Sequence, residues 1–168
     1  LDTPSTRPAR SPTRSPVALA RSSSDSTVVD TSSSRSRILA AVPDAVLWLM
    51  ATDPVARANL RAAADRHGVA ADRLVFAERR SKDVHLERLR LADLVLDTRI
   101  CGAHTTATDA LWMGVPVVTC PGRAFAARVG ASLLTAAGLG ELVVPDLEGY
   151  EALATELARN PDRRQTLR

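Results

Sequence analysis

The sequence predicts an α/β fold, a parallel sheet with helices packed on both faces, preceded by a disordered tail. Three observations carry this reading. From Ile38 onward, short apolar runs alternate with helical patterns of roughly 10 to 15 residues, as repeated βαβ units do. Those runs are solidly apolar instead of alternating with polar residues, as expected of strands covered on both faces. Residues 1–37 are built from Ser, Arg, Thr and Pro, and cannot bury enough apolar surface to offset their ordering entropy.

In chain order, Ile38–Val42 reads as the end of a helix stopped by Pro43. Ala45–Met50 is an apolar run of strand length, and Pro54–His67 has helical spacing, with Pro early and Gly68 after it. Leu74–Ala77 reads as a strand, Lys82–Leu91 as a helix and Leu94–Leu96 as a buried strand. Thr105 and Thr106 open a helix that Gly114 stops, with Trp112 and Leu111 expected to face the sheet. Val115–Thr119 follows as a strand, Phe125–Ala137 as a helix, Leu142–Val144 as the last strand and Leu147–Arg159 as the last helix.

Composition narrows the function. Of 168 residues, 45% are hydrophobic and only 3% aromatic. The net charge of +3 resides in residues 1–37, which hold six Arg and three Asp; residues 38–168 hold sixteen basic and sixteen acidic residues. The body therefore has no general attraction for nucleic acid, and the arm lacks the regular repeats and interleaved aromatics of an RNA-binding segment. No run of about 18 apolar residues suggests a membrane span, and the N-terminus lacks a signal-peptide core. Cys101 and Cys120 form no CxxC and read as buried small residues near strand ends, so a reduced, cytoplasmic setting is expected.

Ligands of such sheets sit beyond the carboxyl ends of the strands. Two loops open on that edge. In the first, Cys101, Gly102 and Ala103 lead to His104, Thr105 and Thr106 at a helix start, where backbone N–H groups and the helix dipole favour an anion such as phosphate. Thr105 and Thr106 can cap the helix, His104 can donate to a phosphate oxygen, and Asp109, one turn further, can accept from ribose hydroxyls. The second loop, ERRSKDVHLER, places Lys82, His85 and Arg88 near one face of the helix opening at Ser81. Taken singly, Thr105 is equally a plain N-cap and the Lys82–Arg88 stretch a solvated basic face. Taken together, they suit a nucleoside diphosphate, with phosphates on the helix start and the base near Arg80, His85 and Arg88.

In order, VPDAVLWLM, RLVF, KDVHLERLRLADLVLDT and CGAHTTATDALWMGVPVVTCPG resemble the C-terminal catalytic lobe of protein O-linked N-acetylglucosamine transferases, over about residues 38–160. The resemblance implies a Rossmann-like lobe of a GT-B glycosyltransferase. It implies an enzyme that transfers N-acetylglucosamine from UDP to Ser or Thr hydroxyls of proteins, with inversion and no metal or other cofactor. Under it His104, Thr105 and Thr106 hold the donor diphosphate, stabilising the leaving group, and no residue of this chain is a catalytic base. Asp109 holds the ribose, Lys82 reaches ribose and phosphate, and His85, Arg88 and the backbone near Arg80 hold the uracil. A donor lobe of another GT-B enzyme and a non-catalytic nucleotide-sugar-binding module are the alternatives.

The resemblance also sets expectations about what surrounds this lobe. Residues 1–37 are expected to replace the lobe's first strand and a lysine-bearing segment, and their abrupt junction at Ser36–Ile38 suggests translation in a neighbouring frame. Residues 38–168 are expected to form the UDP-sugar-binding lobe. An N-terminal lobe and tetratricopeptide repeats that would select protein acceptors are expected outside this chain, which alone is expected to be inactive.

Overall fold

The computed structural model describes residues 16–21, 29–50 and 53–168. Strand β1 (Pro16–Arg21) is followed by helix α1 (Val29–Ala41), β2 (Val46–Met50), α2 (Pro54–Asp65) and β3 (Leu74–Phe76). Then come α3 (Lys82–Leu89), β4 (Val95–Leu96), α4 (Thr105–Trp112), β5 (Val117–Val118), α5 (Val129–Ala136), α6 (Leu147–Arg159) and α7 (Pro161–Thr166). Strand β2 pairs in parallel with β1 on one side and β3 on the other, and β4 pairs in parallel with β5. β4 lies beside β1. The three-stranded and two-stranded sheets thus lie side by side in the order β3-β2-β1 and β4-β5, the strand order of a doubly wound fold that reverses between β1 and β4.

Local chemistry explains the boundaries. Asp53 accepts the Val55 N–H at 2.9 Å and Pro54 occupies the first turn, so α2 starts there; Leu60, Ala63 and Ala64 form its buried stripe. Asp146 caps α6 through the Gly149 N–H at 2.8 Å, and Tyr150, Ala154 and Leu157 turn inward at helical spacing. Gly114, at φ +69°, ends α4 in the left-handed conformation that other residues resist. Leu47, Leu49, Leu89, Leu94, Leu96, Val117, Val118, Leu134, Leu142 and Leu157 belong to one core shared by both sheets.

Four sequence expectations change. The boundary at residue 37 falls inside α1, and Pro16–Arg21, expected to belong to a tail, is a strand paired with β2 and lying beside β4. Helix α1 packs on α6 and α2, and Ser32, Ser34, Arg35 and Ser36 are buried in it. The Ser36 hydroxyl donates to the Ser32 carbonyl at 3.0 Å, a back-bond that lets a serine sit in a helix interior. Tertiary packing thus overrides a composition that predicts no helix. Residues 1–15 and 22–28 of the expected tail lie outside the described residues.

The expected strand at Leu142–Val144 is a 3-10 turn, Gly140–Leu142, followed by one bridge between Val143 and Thr119; Pro145, which lacks an N–H, follows at once. The helix expected at Phe125–Ala137 is a 3-10 turn, Phe125–Ala127, then α5. Trp112, expected against the sheet, is 82% exposed. Ala107 and Ala110 form the buried face of α4, and a residue two positions past Ala110 points about 200° away from it. Leu111 is partly buried against the core, as expected.

Candidate functional site

Helices α3 and α4 pack against each other at the sheet edge, and both start from loops at the carboxyl ends of strands. The Lys82 ammonium forms an ion pair with the Asp109 carboxylate, joining the two loops that the sequence marks. The lysine side chain is 57% exposed but that of Asp109 only 13%, so the ammonium faces water while the carboxylate is held at the base of the cleft between the two helices.

One turn along α3, the Arg88 guanidinium donates to the Glu78 carbonyl at 2.8 Å and to His85 Nδ1 at 3.1–3.2 Å. It also lies 5.3 Å from the centre of the Trp48 ring. A guanidinium has no acceptor, so His85 Nδ1 carries the lone pair and the neutral ring keeps its proton on Nε2. Burial, then the Arg88 charge, lower the His85 pKa; Asp109 and Lys82 also act on it electrostatically. A neutral imidazole with a fixed N–H, beside a planar cation held on an aromatic ring, suits a planar heterocycle. Lys82, His85, Arg88 and Asp109 are thus one cluster. Arg80 borders this cluster: its guanidinium meets the exposed Glu78 carboxylate at 2.7 Å, and its charge acts on Arg88.

At the start of α4, His104 occupies the N-cap position and no side chain caps the helix. Thr105 and Thr106 are instead the first two helical residues, so their expected capping role is not the one found. The orphan N–H groups of the first turn therefore remain for solvent or a ligand. His104 Nε2 lies 3.0 Å from the Ala126 carbonyl, which also accepts the Gly102 N–H at 2.8 Å. Because a carbonyl only accepts, Nε2 carries a proton there. The exposed Phe125 ring meets the imidazole edge-on, with centroids 6.4 Å apart.

The loop between β4 and α4 is held from beneath by Asp97. Its carboxylate accepts from the N–H groups of Thr98 at 2.7 Å and Ala103 at 2.6 Å, and from the Thr119 hydroxyl at 2.7 Å. Cys101 in that loop is exposed, against the expectation of burial, while Cys120 is buried as expected. Apolar spacing sees Cys101 only as a residue near a strand end; the loop's outward course decides its exposure. Sequence reasoning assigned no role to Asp97, Trp48, Glu78 or the Ala126 carbonyl. A carboxylate ending an apolar strand is the one signal that could have found Asp97.

Comparison with known proteins decides the family. Residues 28–168 match the profile described as glycosyl transferase family 41. The chain belongs to that family. Among curated relatives, the Arabidopsis thaliana protein named probable UDP-N-acetylglucosamine–peptide N-acetylglucosaminyltransferase SEC is 42% identical over 131 residues, 77% of this chain. The Caenorhabditis elegans UDP-N-acetylglucosamine–peptide N-acetylglucosaminyltransferase is 36% identical over 132 residues, 79% of this chain. The structure of a Thermobaculum terrenum O-GlcNAc transferase mutant superposes with a TM-score of 0.81 at 33% identity, over 99% of this chain.

This family 41 chain spans 13% and 12% of the two curated relatives and 33% of the bacterial structure. Its fold is the Rossmann-like lobe of a GT-B glycosyltransferase. A putative UDP-N-acetylglucosamine 2-epimerase from Listeria monocytogenes, TM-score 0.61 at 16% identity over 92% of this chain and 39% of its own, shares the fold alone. Among the described residues no helix is long and apolar enough to cross a membrane.

Proposed function

We propose that this family 41 chain is the donor-binding lobe of an enzyme that transfers N-acetylglucosamine from UDP to Ser or Thr hydroxyls of proteins. The observation that carries the reading is the Lys82–Asp109 ion pair. It joins the helix that carries His85 and Arg88 to the uncapped start of α4. In this arrangement the diphosphate lies on the N–H groups and hydroxyls of Thr105 and Thr106, with His104 beside it. The ribose lies between Asp109 and Lys82, and the base against His85 and Arg88, with the backbone near Arg80 at its edge.

The mechanism follows from charge. As the sugar–oxygen bond breaks, negative charge grows on the departing UDP, and fixed donors aimed at it lower the barrier without reorganising. Binding the base and ribose positions the sugar for attack from its opposite face, which inverts the anomeric centre. Lys82 and the helix start supply the positive field, so the reaction is expected to run without a metal.

Calorimetry of the unaltered chain with UDP, CDP, ADP and GDP, in the presence of EDTA, tests this. UDP binds most tightly, and His104→Ala and Lys82→Ala each weaken it about tenfold, or 1.4 kcal/mol. Equal affinity for all four nucleotides, or abolition of binding by EDTA, contradicts the reading.

A further inference from the structure

We propose that Asp97 is a positioning residue of the donor site: its buried carboxylate braces the 98–104 loop so that His104 and the first turn of α4 are held ready for a diphosphate. The inference rests on the reading of that site as a nucleotide-sugar site.

The geometry is that of a brace. One carboxylate oxygen, Oδ1, accepts from both Thr98 and Ala103, closing the loop across its base. The other, Oδ2, accepts the Thr119 hydroxyl from the end of β5. The residue's own carbonyl accepts the hydroxyl of buried Tyr150 at 2.9 Å, and its N–H donates to the Val118 carbonyl at 3.0 Å. Asp97 is thus fixed from five directions, and only 3% of it is exposed.

Two glycines leave room for it. A Cβ at Gly130 would stand 2.6 Å from Asp97 Oδ2, and one at Gly102 would stand 3.2 Å from the same atom. Ala103, the residue gripped, immediately precedes His104, whose backbone (φ −99°, ψ −95°) turns the chain into α4. Releasing the Ala103 N–H lets that turn relax, moving the imidazole and the orphan N–H groups together.

Burial raises the Asp97 pKa, opposed by its hydrogen bonds to Thr119, Ala103 and Thr98 and by the Arg35 charge. Ionising this group in the fold therefore costs stability. A buried carboxylate is a poor choice for stability alone, which fits a residue kept for where it holds the loop.

The test pairs UDP affinity with hydrogen exchange of individual amides. In Asp97→Ala, UDP binding falls about tenfold. The Thr98 and Ala103 amides exchange faster, while those of Val95 and Asp97, bonded to β5, do not change. Asp97→Asn keeps an oxygen on both loop amides and restores affinity and protection.

A folded Asp97→Ala protein that binds UDP like the unaltered chain, or loses affinity with Ala103 still protected, overturns the proposal. If Asp97→Ala does not fold, Thr119→Val decides. It loses one donor to the brace, weakens UDP about threefold and speeds Ala103 exchange, and Thr119→Ser reverses both. Unchanged affinity and exchange in Thr119→Val overturn the proposal. Failure of the unaltered chain to bind UDP sinks the donor-site reading instead. Exchange at Ala103, measured without nucleotide, still judges the brace, so the two failures are distinguishable.

Discussion

Two buried arginines touch the same stretch of fold and are treated in opposite ways. Arg73, before β3, donates to the carbonyls of Ala45 at 2.8 Å, Leu39 at 2.8 Å and Val42 at 2.6 Å. It caps the end of α1 and ties the turn into β2 to the sheet. Arg35, inside α1, is 2% exposed; it donates to the Leu96 carbonyl at 3.3 Å and its charge acts on Asp97 and Tyr150, but its Nε has no partner among the described residues. Both sites enclose a cation, but only that of Arg73 meets it with three short bonds to carbonyls. Burial of a charge stabilises a fold only when every donor is met, and otherwise costs free energy.

The largest effect expected from this contrast is at Arg73. Arg73→Met removes three charge-assisted bonds at the end of α1; the Leu39 and Val42 carbonyls keep the N–H groups of Val42 and Ala45, but the Ala45 carbonyl loses the arginine, and stability falls by about 3 kcal/mol. Urea unfolding checks this, and a loss under 1 kcal/mol breaks the contrast. Next comes Gly130, packed against the fully satisfied carboxylate of Asp97. Ala is the better helix former by about 1 kcal/mol, yet Gly130→Ala forces the 2.6 Å contact to open and destabilises by about 1–3 kcal/mol. A rise in the urea midpoint would show that the carboxylate yields easily. Arg35→Met changes stability less than either, by under about 1 kcal/mol in the same measurement, because the unmet Nε is removed together with the positive charge that faces buried Asp97.

The smallest effect concerns a third arginine. The bond from Arg88 to His85 holds only while His85 stays neutral and accepts. Burial and the Arg88 charge depress the His85 pKa in the fold, so the unfolded chain protonates first as pH falls. The corresponding stability is present above about pH 6.5, the unfolded value, and is lost as pH falls through the folded one. Melting curves at pH 7.5 and 5.5 should show the loss, and His85→Gln, which accepts at both values, should not.

These contrasts also explain what the sequence did and did not reveal. Lys82, His85, Arg88 and Asp109 were legible because helical spacing and βαβ order place them at one sheet edge, and the structure brings them together. Strand β1 and the first half of α1 were not legible. A run as short as Val17–Ala20 carries no period, and a helix whose buried positions include Ser34 and Arg35 lacks an apolar stripe; only contacts with β2 and α6 create both elements. Trp112 and Cys101 were misplaced because hydrophobicity reports preference, whereas the tight packing of Ala107 and Ala110 and the outward path of the 98–104 loop decide exposure. Asp97 stayed silent because its partners, Ala103 and Thr119, meet it only in the folded chain.

The central claim is that the start of α4 and the Lys82–Arg88 face of α3 grip one UDP moiety. Titrating the isotopically labelled chain with UDP and following every backbone amide by NMR tests it most directly. The account predicts shifts confined to His104, Thr105, Thr106 and Asp109 on one side and to Arg80, Lys82, His85 and Arg88 on the other, all fitting one dissociation constant. Shifts gathered elsewhere, such as the groove between α1 and α6 lined by Ala41, Thr155 and Arg159, or two sets with different constants, would contradict it.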